Sequence, residues 1–230
     1  MSAHWPQLVI FDCDGVLVDS ETISISVLLD IIARAGGTVS EETAYLRFLG
    51  RSMATIRDTL SSDFGLVFND EHLGHMRAAL LERFHAELKP IPGVGDAIRA
   101  IDTQCCVASS SQLERIRLTL SLTGLLELLD PHIYSASMVK NGKPAPDLFL
   151  HAASGMGVAP QDCLVIEDSP AGIQAAKSAG MTVFGFTGGS HAGAASLATT
   201  LEGLKPDLIF NNMSKLPELI AGHAALGKAS

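Results

Sequence analysis

The chain has 230 residues, 47% of them hydrophobic and 18% charged, with a net charge of −9 and a sequence pI near 5.3. That balance excludes a disordered chain, and the acidic charge excludes a binder that would grip nucleic acid through a basic surface. No apolar run approaches the ~18 residues of a membrane span, and Met1 to Gln7 carries no basic segment leading into an apolar one, so the expected location is cytoplasmic and away from membranes.

Leu8 to Phe11 is a short, continuous apolar run that stops at Asp12, the pattern of a strand buried on both faces. From Asp19 to Lys89 the chain shows helix signals and no convincing strand. Ile25, Leu28, Leu29 and Ile32 share one helical face, and Gly36-Gly37 ends that run. Ser52 opens a second helix to about Phe64. Asn69 or Asp70 caps a third, in which Leu73, Met76, Leu80 and Phe84 align. Pro90 and Pro92-Gly93 then mark a return to alternating strands and helices. Cys105 to Ala108 before Ser109, and Cys163 to Ile166 before Glu167, repeat the buried-strand pattern. Between and after them come a helix from Leu113 to Leu120, a strand from His132 to Ser135, a helix from Pro144 to about Met156 and a helix from Pro170 to about Ala179. Thr182 to Phe186 and Leu208 to Phe210 read as closing strands, and Gly188 to His191 as a loop.

The alternation predicts an α/β fold with a parallel sheet, residues 1–18 and 89–230, interrupted after the first strand by a helical insertion, residues 19–88. In such a sheet the carboxyl ends of the strands meet at one edge, where ligands bind at the topological switch point. The polar residues that end the three apolar runs are therefore expected to converge. The four cysteines lack CxxC spacing and partner histidines and read as buried, reduced thiols.

Asp12 and Asp14 lie two apart at a strand end, so a continuing strand would start both side chains on one face. Together with Glu167 and Asp168 they form a group of hard oxygen ligands that suits Mg²⁺. A cation there permits a carboxylate to approach a phosphate group, with Asp12 attacking phosphorus and Asp14 serving as general acid and base. Lys143, ahead of Pro144 as the first residue of a helix, would bridge Asp12 and the phosphate. Ser109, Ser110 and Ser111, ahead of a helix, offer hydroxyls and free amides to the same anion. Arg51, in a loop before a helix, is the candidate contact to the rest of a substrate. His72, His75 and His85 read as exposed helix positions.

Phe11-Asp12-Cys13-Asp14-Gly15-Val16-Leu17-Val18-Asp19-Ser20 closely resembles the first motif of the haloacid dehalogenase-like hydrolase superfamily. The resemblance continues through Val107 to Ser111, Gly142 to Asp147 and Ile166 to Gly172, in the family's order. It implies a Rossmann-like core with a helical cap inserted after the first strand. It also implies Asp12 as nucleophile, Asp14 as acid and base and as a Mg²⁺ ligand through its carbonyl, Ser109 and Lys143 as phosphate-holding groups, and Glu167 with Asp168 on the metal side. The subgroup it points to contains β-phosphoglucomutases and sugar-phosphate phosphatases. Such mutases carry a histidine ten residues beyond the second aspartate; Ser24 stands there in this chain, which favours hydrolysis of a small phosphorylated metabolite. A mutase, and a receiver-like phospho-accepting module, are the competing readings. The sequence is silent on oligomeric state.

Overall fold

A computed structural model describes residues 5–193 and 196–227, so the beginning of the Met1 to Gln7 stretch and the outermost ends of the expected core lie outside the described residues. In chain order the elements are β1 (Leu8–Phe11), α1 (Glu21–Arg34), α2 (Glu41–Phe48), α3 (Met53–Phe64), α4 (Asp70–Glu87), α5 (Val94–Ala100), β2 (Gln104–Ser109), α6 (Leu113–Leu122) and α7 (Leu126–Leu129). There follow β3 (Ile133–Ser135), α8 (Asp147–Gly155), β4 (Cys163–Glu167), α9 (Pro170–Ser178), β5 (Thr182–Phe186), α10 (Leu197–Leu204), β6 (Leu208–Phe210) and α11 (Leu216–Gly227).

The strands form one parallel sheet in the order β3-β2-β1-β4-β5-β6. Alternate residues of each strand face opposite ways, and both faces are covered. Leu8, Ile10, Cys106, Val165 and Val183 pack under α8, α9 and α10, while Val9, Phe11, Val107, Ile166 and Phe184 pack under α5, α6 and α11. A sheet buried on both sides reads as unbroken apolar runs, which is why β1, β2 and β4 were visible in the sequence. The chain order runs outward from β1 in both directions, so the switch point lies at β1, beside β2 and β4.

The four helices between β1 and β2 form their own packed group. α1 lies against α4, burying Ile25, Leu28 and Ile32 along with Leu73, Met76, Leu80 and Phe84. Side-chain caps fix three of the starts: Ser40 accepts from Thr43 N, Ser52 from Thr55 N, and Asn69 from His72 N. His72 is not a plain surface residue, since its Nδ1 completes the Asn69 capping box and its ring stacks on Phe68. His75 and His85 are exposed.

One expected boundary is corrected. Pro144 is not the first residue of a helix; α8 starts at Asp147, after Pro146. Each of Pro144 and Pro146 disfavours helical geometry in the residue before it, so regular hydrogen bonding begins only beyond the second proline. Cys13, Cys106 and Cys163 are buried and Cys105 half-buried, all as free thiols. No described helix is long and apolar enough to cross a membrane.

Candidate active site

The parallel register brings the key residues together. Phe11 pairs with Val107 on one side and Ile166 on the other, so Asp12, Ser109 and Glu167 leave the sheet at the same edge. Asp12 N donates to Ile166 O at 3.0 Å, which fixes the start of the Asp12 turn beside Glu167.

Lys143 reaches this edge from the loop before α8, with its side chain 1% exposed. Its Nζ donates to Asp12 Oδ1 at 2.6 Å, Glu167 Oε1 at 2.6 Å and Ala108 O at 3.0 Å, so all three ammonium protons are used. Burial alone would weaken this base, but the two carboxylates more than reverse that and hold it charged above its usual range. The helix-dipole argument for Lys143 falls with the Pro144 boundary. Two carboxylates and a carbonyl position the lysine instead.

Both oxygens of Glu167 are engaged. Oε1 takes Lys143, and Oε2 accepts from Ser169 N at 2.7 Å and Ser169 Oγ at 2.9 Å. The Ser169 hydroxyl in turn accepts from Gly172 N at 3.0 Å and so caps α9. The Glu167 carboxylate occupies the space a side chain at residue 172 would need, since a Cβ there would lie 1.8 Å from Oε1.

Asp168 differs. It is 3% exposed, and its Oδ2 is buried without a hydrogen-bond donor. One carboxylate oxygen each from Asp12, Glu167 and Asp168 lie within 4.8 Å of one another. Burial pushes the Asp12 carboxyl well above the usual carboxylate range; Lys143 opposes the shift, and Glu167 and Asp168 add to it. Burial and Glu167 push Asp168 the same way. Three buried carboxylates against one ammonium leave excess negative charge, and a divalent ion with hard oxygen ligands fits that deficit.

Asp14 does not share a strand face with Asp12, because β1 ends at Phe11 and the chain turns back at once. Leu17 N and Val18 N both donate to Cys13 O. Its carboxylate forms a separate network. Oδ1 accepts from Ser20 Oγ at 2.5 Å and Arg115 Nη2 at 2.9 Å, and Oδ2 from Ser111 Oγ at 2.7 Å. Burial alone would raise its pKa, but Arg115 and the two hydroxyls outweigh burial and hold the carboxyl below its ordinary range. Arg115 also touches the helical insertion, with Nη2 donating to Ser24 Oγ at 3.1 Å and its guanidinium 5.1 Å from the Phe84 ring centre.

A cavity of about 1040 Å³ opens over this edge. Asp12, Ser109, Ser110 and Lys143 line it from the sheet side, and Arg51 and Arg77 from the insertion. The space exceeds a phosphate group and matches the upper range of small-molecule pockets. Ser109 is buried, and its Oγ accepts from Ser111 N at 3.1 Å. Arg51 is exposed, and among the described residues no carboxylate pairs with it.

Sequence reasoning did not single out Arg115, Glu21 or His191. Glu21, in the first turn of α1, also lines the cavity, and burial followed by the repulsion of Asp14 and Asp168 moves its carboxyl up to about 8. Arg115 sits in an ordinary amphipathic helix with no local mark of its role. His191 follows Gly188-Gly189, and that pair was the one available sign of a close backbone approach.

The family described as haloacid dehalogenase-like hydrolase matches residues 9–186. The chain is 31% identical over 215 residues to 6-phosphogluconate phosphatase of Escherichia coli, covering 93% of this chain and 94% of that protein. Among solved structures, a haloacid dehalogenase-like protein of unknown function from Agrobacterium tumefaciens superposes with a TM-score of 0.81 at 37% identity, covering 95% of this chain and 99% of that one. A hydrolase of the same family from Deinococcus radiodurans, solved with bound phosphate and sodium, superposes with a TM-score of 0.76 at 30% identity, covering 97% and 98%.

Proposed function

We propose, because this chain belongs to the haloacid dehalogenase-like hydrolase family and is a phosphatase, that it hydrolyses a small phosphorylated metabolite, a sugar phosphate by preference, with Mg²⁺ and through a phospho-aspartate at Asp12. The observation that carries this reading is the buried group of Asp12, Glu167 and Asp168, which Lys143 neutralises only in part. The 6-phosphogluconate phosphatase relative supports the sugar-phosphate class. The insertion, residues 19–88, serves as the cap that covers the substrate, and we place the protein in the cytoplasm, acting on neither nucleic acid nor membranes.

Asp12 and Asp168, with the carbonyl of Asp14, would hold the ion; Glu167, whose oxygens are already engaged, anchors Lys143 and α9. When bound, Mg²⁺ offsets the negative charge that the phosphate brings to these carboxylates. Ser109 and Ser110 orient the phosphoryl group, and Lys143 joins them by turning the proton it gives Ala108 O toward the phosphate. An Asp12 oxygen bonds to phosphorus as the bond from phosphorus to the substrate oxygen breaks, and Asp14 gives its proton to that leaving oxygen. Asp14, now ionised, takes a proton from water; the water oxygen bonds to phosphorus, the Asp12–phosphorus bond breaks, and inorganic phosphate leaves. The network around Asp14 supplies the ionised state from which the second half starts, and its three donors must loosen as the carboxylate takes the proton. In the first half Asp14 must carry a proton and turn from Arg115.

The mutase alternative needs a proton-transferring group on the cap where Ser24 stands. Here the Ser24 hydroxyl donates to Ser20 O and accepts from Arg115, so it is already committed. The receiver alternative does not survive the family assignment. The test is phosphate release from a panel of sugar phosphates that includes 6-phosphogluconate, with and without Mg²⁺. Turnover that requires Mg²⁺ supports the proposal; turnover unaffected by chelation overturns it. Isomerised sugar phosphate as the only product would restore the mutase.

A further inference from the structure

The loop after β5 carries His191, whose side chain is completely buried. Neither ring nitrogen has a hydrogen-bond partner. Its Nε2 lies 3.1 Å from Asp168 Oδ2, the carboxylate oxygen that also lacks a donor. The two orphans thus stand at hydrogen-bond distance without hydrogen-bond alignment. Buried polar atoms are rarely left in this state, and each is the natural partner of the other.

The surroundings decide which of the two moves. A Cβ on Gly189 would lie 2.6 Å from His191 Cε1 and 2.7 Å from Nδ1, and a Cβ on Gly15 would lie 2.9 Å from Cε1, so backbone wedges the ring on two sides. The neighbouring Ser190 is tied down as well, donating to Asp19 Oδ1 from its N at 3.0 Å and from its Oγ at 2.8 Å. The Asp168 carboxylate has no donor on Oδ2 and is the freer partner. It rests in the space that glycine at position 15 leaves, where a Cβ would lie 1.9 Å from Oδ2.

We propose that His191 is a positioning residue for Asp168, its Nε2–H holding Oδ2 so that the other carboxylate oxygen is presented to the divalent ion. This rests on the reading that Asp168 faces such an ion. Groups of this kind, one step behind a ligand, fix its orientation and set affinity for the metal.

Titration calorimetry with Mg²⁺ tests the inference on wild type, His191→Gln and His191→Leu, each checked for folding by circular dichroism. Gln retains an N–H donor, whereas Leu keeps the bulk without one. The expected result is Mg²⁺ binding weakened about tenfold or more by Leu and largely restored by Gln, with KM for p-nitrophenyl phosphate at saturating Mg²⁺ within about twofold of wild type. Leu binding as tightly as wild type, or Leu and Gln weakened alike, overturns it. Should neither variant fold, NMR of isotope-labelled histidine in wild type decides: a proton on Nε2 that shifts when Mg²⁺ is added is required, and an Nε2 without a proton overturns the proposal. Wild type that binds no divalent ion would instead defeat the metal reading itself, so the two failures are told apart.

Discussion

Lys143 shows how one side chain can hold an active site and the fold together. It is the only cation in contact with Asp12 and Glu167 among the described residues, and all three groups are buried. Removing one partner of such a set leaves uncompensated charge. Lys143→Met should therefore cost about 3 kcal/mol in urea denaturation at neutral pH. The loss should shrink as pH falls, because protonating the two carboxylates removes the repulsion. Glu21 tests a second electrostatic point. Its folded pKa of about 8 lies above the unfolded value near 4.5, so the native state binds the extra proton between them, and stability must fall as pH rises across that window. The slope is at most about 1.4 kcal/mol per pH unit. Glu21→Gln should flatten thermal stability between those values and exceed wild type at the upper end. Asp12, Glu167 and Asp168 were legible because polar residues that end buried strands have one place to go, whereas Lys143 was singled out by a helix start at Pro144 that the structure moves to Asp147. Arg115, Glu21 and His191 were not, because their roles arise from contacts across the fold that leave no periodic mark.

At the scale of elements, α9 links the sheet edge to the chemistry through Ser169. The same hydroxyl caps Gly172 N and holds Glu167 Oε2. Ser169→Ala should lower stability by about 1–2 kcal/mol, measured by thermal melting, and should raise KM more than it lowers kcat, since Glu167 holds Lys143, the proposed phosphate contact. All six strands were readable in the sequence, as were the capped helices α3 and α4, whose apolar stripes sit behind Ser52 and Asn69. The start of α8 was misplaced because the two prolines compete with the helix rather than open it. α2 went unread even though Ser40 caps it. Its buried residues are Ala44, Tyr45 and Phe48, too few for a clear stripe in so short a helix.

For the whole molecule, the proposed function requires the helical insertion to meet the sheet edge, with which it shares the cavity. Gly50, in the loop between α2 and α3, makes that approach possible, since a Cβ there would lie 2.7 Å from the Ser169 Cβ and its φ is +67°. Gly50→Ala should hold the insertion away from the catalytic edge. The expected loss is about tenfold in kcat/KM, against about 1–2 kcal/mol in stability, and steady-state kinetics alongside a urea melt separates the two. The account as a whole stands on Asp12 forming a bond to phosphorus. Acetyl phosphate, mixed with enzyme and Mg²⁺, quenched in acid and reduced with tritiated borohydride, tests that bond most directly. The account predicts reduction at residue 12 alone, absent without Mg²⁺ and absent in Asp12→Asn. Modification at another residue, or an Asp12→Asn enzyme that still turns over at the wild-type rate, would contradict it.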